Sequence, residues 1–223
     1  MAGIYTLTVT TTPKAWPRNY DLTRTTKHAR AGLGLHPQLV AERSGEIKLW
    51  EEYLPQARYI GEVGLDAGPQ YFRSLAQQQL VFTHILKKCG EANGKILSVH
   101  SVRAAKPVLG LIESHLPRER GKVVLHWFTG SNSEARRAVE LGCYFSVNAA
   151  MMRTDRGRKL VSALPPDRLL TETDAAFTRF DNRSTTPNDV KATVDELAAV
   201  RHKTPAAQAQ LIASNLRALL ETV

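Results

Sequence analysis

The sequence predicts an α/β fold of the (β/α)8-barrel type, carried by about seven strands. Two observations lead there. Short β-branched or apolar runs alternate with helical stretches, the order that builds βαβ units and a parallel sheet. The length, 223 residues, suits one domain with a full core, or a single α/β barrel slightly short of its usual size.

The elements follow in order. Ile4 to Thr10 (IYTLTVT) is short and β-branched, as buried strands are. Trp16 to Ala29 reads as a polar helical stretch, and Ala31 to Leu35 as a strand ending at His36-Pro37. Leu39, Val40, Ile47, Leu49 and Trp50 space a helix over Gln38 to Tyr53. Arg58 to Leu65 is a strand and Gln70 to Ala92 a long helix. Lys95 to His100, Lys122 to Trp127, Cys143 to Val147 and Leu169 to Glu172 are the remaining strands. Helices are expected at Ala104 to His115 and Ser133 to Leu141, and two more near Pro187 to His202 and Thr204 to Leu219. The polar run Thr178 to Pro187 reads as a loop. No repeat or domain boundary interrupts the pattern, so 1–223 is expected to be a single domain.

Composition is that of a globular protein, 43% hydrophobic and 23% charged. No apolar run reaches the roughly 20 residues that span a bilayer. Met1 to Thr12 lacks the basic and leucine-rich regions of a signal peptide. Cys89 and Cys143 stand far apart outside any CxxC motif, as reduced, buried thiols of a cytoplasmic protein do. Lys and Arg number 30 against 21 Asp and Glu, a net charge of +9. That balance favours a polyanionic partner, nucleic acid first.

Residues with metal-binding chemistry recur at one point of the repeating unit. His36 ends a strand, Glu62 lies near the end of the next, His100 and His126 end two more, and Asp174 follows the last. In a barrel of parallel strands these ends converge on the catalytic face. Imidazole nitrogens and carboxylate oxygens are ligands for Zn²⁺, Mn²⁺ and similar ions, and a carboxylate can bridge two of them. Taken singly, each residue has an ordinary structural explanation; their shared position is what points to a site. His28, His84, His115 and His202 fall in helical stretches and read as surface or packing residues.

Several of these residues sit in motifs. Gly34-Leu35-His36-Pro37 resembles a GxHP strand end. Ile60-Gly61-Glu62-Val63-Gly64-Leu65-Asp66 is similar to IGExGLD, Val99-His100-Ser101 to IHxR, and His126 to Ser131 to HxFxGS. Glu172-Thr173-Asp174 is similar to ETDxP. In this order and spread over nearly the whole chain, they resemble the TatD-like family of metal-dependent DNases, which are TIM-barrel hydrolases. The segments Thr10 to Pro17 and His100 to Lys106 further resemble the TatD-like member of the Qat anti-phage defence system, which implies partner proteins of that system.

The resemblance implies a site for divalent metal (Mg, Mn or Zn). Glu62 would bridge two ions, His100 and His126 would serve one, and Asp174 the other while orienting the attacking water. His36 and Arg103 are candidates for substrate contact, Arg103 because its planar fork suits phosphate. Three departures stand out. The family's opening HxH strand has no counterpart, since the first histidine is His28 and Ile4 to Thr10 is similar to the second strand. Val102 takes the place of the usual Arg, and Ala176 that of the usual Pro. The resemblance therefore implies a phosphodiesterase or deoxyribonuclease, an exonuclease on single-stranded DNA or DNA ends, impaired in this form. Two alternatives stay open: a metal-dependent amidohydrolase or deacylase on a small molecule or aminoacyl-tRNA, and a non-catalytic DNA-binding subunit of a defence complex.

Overall fold

The computed structural model describes residues 3–175, 177–180 and 182–221; Ala176, one of the three departures, lies outside them. The chain divides into two compact units, Met1–Leu125 and His126–Thr222.

In the first unit, β1 (Thr6–Val9), β2 (Ala29–Leu33), β3 (Tyr59–Gly64), β4 (Lys95–His100) and β5 (Gly121–Leu125) pair in that order. Every pairing is parallel. The crossovers carry α1 (Trp16–Arg24), α2 (Val40–Arg43) with α3 (Ile47–Tyr53), α4 (Leu75–Ala92) and α5 (Ala105–His115). β4 is buried along its length up to His100, the near-continuous burial that helices on a parallel sheet impose. α4 buries Phe82, Ile85, Leu86 and Cys89, spaced as one helical face. Each such apolar side chain contributes about 1.5–3 kcal/mol on burial. At the start of β4 the buried Lys95 ammonium donates to the carbonyls of Leu54 (2.9 Å) and Ala57 (2.7 Å). It thereby satisfies backbone acceptors just past the end of α3.

In the second unit, β6 (Tyr144–Val147) pairs in parallel with β7 (Leu169–Thr171). Around them run α6 (Asn132–Glu140), α7 (Ala149–Met152), α8 (Asp155–Ala163), α9 (Val190–Val200) and α10 (Pro205–Glu221). Asn215 of α10 ties that helix to the strand by donating to Pro166 O and Leu169 O, both at 2.8 Å.

Seven parallel strands with helices between them are therefore present among the described residues, as the sequence predicts for the TIM-barrel class. Several boundaries differ. The helix expected to Ala29 ends at Arg24, where the Thr23 and Thr26 hydroxyls bond back to Asn19 O and Thr23 O. Such bonds compete with helix continuation. The next strand accordingly begins at Ala29, and His28 lies in a bend outside any helix, edge-on to the Tyr5 ring at 5.0 Å. His202 likewise falls in the turn after α9. The single helix expected over Gln38 to Tyr53 is broken at Ser44–Glu46, where Gly45 is a weak helix former. Two helices, α7 and α8, were not foreseen; each is capped by a side chain, Asn148 accepting from Met151 N and Thr154 from Gly157 N. The expected loop Thr178 to Pro187 contains a small antiparallel ladder, β8 (Arg179–Phe180) with β9 (Arg183–Ser184). None of the described helices is long and apolar enough to cross a membrane. Cys89 and Cys143 are buried and in no disulfide.

Candidate functional site

The first unit builds its cluster from backbone upward. Thr10, just past β1, joins three strands. Its N–H donates to Gly32 O and Gly61 O, its hydroxyl donates to Gly32 O and accepts from Gly34 N, and its carbonyl accepts from Glu62 N at 3.1 Å. The contact is so close that a Cβ on Gly34 would lie 1.8 Å from Thr10 O. Glycine is required there by the approach of two backbones. This stitching sets the backbone of Glu62. The pairing of Gly64 with His100 brings the ends of β3 and β4 level.

On this frame His36, Glu62 and His100 converge. One donor atom from each lies within 4.8 Å of the others. Glu62 Oε1 is 3.5 Å from His36 Nε2 and 2.8 Å from His100 Nδ1. The other ring nitrogen of His100 lies 3.0 Å from Asp66 Oδ2. His36 Nδ1 accepts from Gln38 N at 3.3 Å, so a neutral His36 carries its proton on Nε2, facing Glu62. The His100 imidazole and the Glu62 carboxylate are ligand types for a divalent cation in that space, with His36 Nε2 beside them.

Asp66 is 2% exposed. Burial disfavours its charge, but hydrogen bonds from His100, Gln38 Nε2 (2.8 Å) and Gly68 N (2.7 Å) outweigh that and hold its carboxyl at about 2. Burial likewise opposes the charged form of His100, and the carboxylates of Asp66 and Glu62 outweigh it, so its pKa is raised. Both carboxylates thus favour the charged form of the ring.

The second unit holds its own pair. His126 Nδ1 is 2.7 Å from Glu172 Oε2, and Nε2 is 3.5 Å from Asp174 Oδ1. Glu172 also accepts from Asn148 Nδ2 (2.8 Å), from Trp127 N (3.4 Å) and from the Ser146 hydroxyl. Burial disfavours its charge, but the His126 ring and these donors prevail and lower its pKa. Trp127 and Asp174 both have positive φ, 40° and 48°. Such backbone strain in non-glycine residues clusters at functional sites. Arg103, exposed in the turn after β4, shares this feature with φ 52°.

The structure thus gathers His36, Glu62 and His100 in one cluster and His126 with Asp174 in another, and leaves Arg103 on an exposed turn. Sequence reasoning assigned no role to Asp66, Glu172, Ser146 or Asn148. Asp66 and Glu172 lay inside the quoted motifs, four residues after Glu62 and two before Asp174. Ser146 closes the segment Leu141 to Ser146, which also resembles the family pattern, and nothing in the spacing marked Asn148.

The fold is that of an α/β chain with imidazole and carboxylate groups gathered at its strand ends. The sequence matches the profile of the family described as TatD related DNase over residues 2–221, and the chain belongs to that family. It is 34% identical over 118 residues to a protein of Schizosaccharomyces pombe named deoxyribonuclease Tat-D, an alignment covering 53% of this chain and 38% of that one. It is 34% identical over 126 residues to the 3'-5' ssDNA/RNA exonuclease TatD of Klebsiella pneumoniae, covering 55% of this chain and 47% of that one. The chain spans about half the length of the curated relatives it matches. Among solved structures, the TatD homologue YJJV of Escherichia coli K12 superposes with a TM-score of 0.84 and 25% identity, over 97% of this chain and 86% of that one. A TatD family hydrolase of Entamoeba histolytica shares the fold at a TM-score of 0.72 and 13% identity, over 97% of this chain and 84% of that one.

Proposed function

We propose that this chain acts as a metal-dependent phosphodiesterase on DNA, an exonuclease trimming single-stranded ends. One observation carries the reading: the convergence of His36, Glu62 and His100 on a space sized for a cation. The reading treats residues 1–223 as a single hydrolase domain.

A bound divalent ion would polarise a phosphodiester oxygen and make water a better nucleophile near neutral pH. Glu62 and His100 would hold that ion, and in the second unit His126 and Asp174 are the candidates for holding metal, Asp174 also for orienting a water. His36, with its proton on Nε2, would donate to a phosphate oxygen. Exposed Arg103 would offer a bidentate fork to the next phosphate. Phe177, three residues after Asp174, is 79% exposed; its ring would give a base a stacking surface. The net charge of +9 favours such a polyanion. The HxH pair expected for a second ion is not among residues 1–223, whose first histidine is His28, so weakened catalysis by these residues alone belongs to the reading. The likeness of Thr10 to Pro17 and His100 to Lys106 to a defence-system member supports partner proteins of that system, and two buried cysteines outside any disulfide fit a cytoplasmic setting.

The test is degradation of end-labelled single-stranded DNA with Mg²⁺ or Mn²⁺, by this chain and its Glu62→Ala variant, with metal content measured on both. Loss of label that stops in Glu62→Ala supports the nuclease. Silence with metal bound transfers the assignment to a small-molecule or aminoacyl-tRNA hydrolase. Silence without metal transfers it to a binding subunit.

A further inference from the structure

Two carboxylates, buried Asp66 and half-buried Glu172, touch the rings of His100 and His126 on opposite nitrogens. Asp66 lies 3.0 Å from Nε2 of His100; Glu172 lies 2.7 Å from Nδ1 of His126. We infer that these are positioning residues that fix the two rings in opposite senses: His100 keeps its proton on Nε2 and presents Nδ1, whereas His126 keeps its proton on Nδ1 and presents Nε2. The inference rests on the reading of both histidines as metal ligands.

Each carboxylate is immobilised by donors. The side chain of Asp66 accepts from Gln38 Nε2 and Gly68 N, while its backbone N–H donates to Gln78 Oε1 at 2.7 Å. It cannot follow a ligand and can only accept from the ring. The opposite nitrogen of His100, Nδ1, points to Glu62 Oε1 at 2.8 Å, inside the cluster of donor atoms. A cation held there would take the Nδ1 lone pair, with the ring proton kept on Nε2 toward Asp66. Around Glu172 the other partners, Trp127 N, Asn148 Nδ2 and the Ser146 hydroxyl, are all donors. The remaining acceptor capacity faces His126 Nδ1, so that nitrogen carries the proton. Nε2 is left toward Asp174 Oδ1 at 3.5 Å. A carboxylate behind a ligating imidazole fixes its tautomer and raises its basicity, and removing it typically lowers metal affinity 10- to 100-fold.

The experiment is long-range ¹H–¹⁵N spectroscopy of the full chain labelled at histidine, metal-free at alkaline pH and again with Zn²⁺ or Cd²⁺. Expected are Nε2–H for His100 and Nδ1–H for His126, with metal perturbing Nδ1 of the first and Nε2 of the second. The same tautomer in both rings, or metal perturbing the nitrogen that faces Asp66 or Glu172, overturns the inference. The expected tautomers with no perturbation by metal in either ring keep the positioning role and defeat the metal reading, so the two fail separately. Asp66→Ala should give a mixed tautomer at His100 and a 10- to 100-fold weaker Cd²⁺ affinity, while Asp66→Asn, which keeps an acceptor oxygen, should retain the single tautomer. An unchanged tautomer and affinity in a folded Asp66→Ala also overturns it. Should that variant not fold, the wild-type spectra decide alone.

Discussion

Gly34→Ala probes how the strand ends hold Glu62. A Cβ at this position would lie 1.8 Å from Thr10 O, 2.6 Å from Glu62 N and 2.7 Å from Gly61 C. Real Cβ contacts need at least about 3 Å, and all three neighbours are backbone, so no side chain can swing aside. Relief requires Thr10 O to move by about 1 Å. That carbonyl accepts from Glu62 N at 3.1 Å, and the Thr10 hydroxyl accepts from Gly34 N at 3.0 Å. Overpacking costs about 1–3 kcal/mol, and one or two disrupted buried hydrogen bonds add about 1 kcal/mol each. A loss of about 3–5 kcal/mol is expected, which lowers Tm by roughly 6–20 °C in a chain of this size. Because the displaced bond sets the Glu62 backbone, Cd²⁺ affinity measured calorimetrically on the folded fraction should fall at least about 10-fold. A Tm within about 2 °C of wild type and unchanged affinity would refute the reasoning, showing that the three strands slide apart freely at Thr10.

Four further outcomes are expected. In the metal-free protein, Asp66 with its carboxyl held at about 2 stabilises the fold above its ordinary value near 3.8 by about 2 kcal/mol, and that contribution is lost as pH falls from about 4 to 2. His100, raised by the same pairing, adds stability that is complete below about 6.5 and lost as pH rises through its folded value. The two describe one interaction, so denaturant melts of wild type against Asp66→Asn should differ most between about pH 4 and 6. Lys95→Ala strips donors from Leu54 O and Ala57 O and should cost about 2–4 kcal/mol by the same melts. The Cys89 thiol, pushed up to about 12 by burial, should resist iodoacetamide in the native protein and react only after denaturation. Phe177→Ala should weaken binding of single-stranded DNA by about 1–3 kcal/mol in a fluorescence anisotropy titration while leaving Tm unchanged.

What the sequence made legible has a common physical basis. The strands β3 and β4 read directly because parallel strands are buried on both faces and stay apolar until the chain leaves the sheet; Glu62 and His100 interrupt that apolarity where the strands end. The helices misjudged were those decided by hydroxyls and glycines rather than by periodicity. Thr23 and Thr26 ended α1 early, and Gly45 split a helix whose apolar spacing ran on regardless. Helices α7 and α8 were missed for a related reason: Asn148 and Thr154 start them through caps, and only four residues of α7 follow the first cap, too few to show a period.

The carboxylates behind the histidines were hidden in a different way. Asp66 and Glu172 stand in the same motifs as Glu62 and Asp174, and sequence position does not separate a residue that faces a ligand from one that faces the ring behind it. Alternation along an extended segment puts Glu62, Gly64 and Asp66 on one side, yet β3 shifts register between Ile60 and Val63, so the pleat rule does not carry through the motif. What distinguishes the roles is hydrogen-bond supply. Asp66 is saturated by Gln38 and Gly68, which come from the loops after β2 and β3, and Glu172 by Ser146 and Asn148 from the end of β6 and the residue that caps α7. A carboxylate so satisfied is a fixed acceptor, whereas Glu62 Oε1 faces the ring nitrogens of His100 and His36 at 2.8 and 3.5 Å, within the group of donor atoms that could hold a cation.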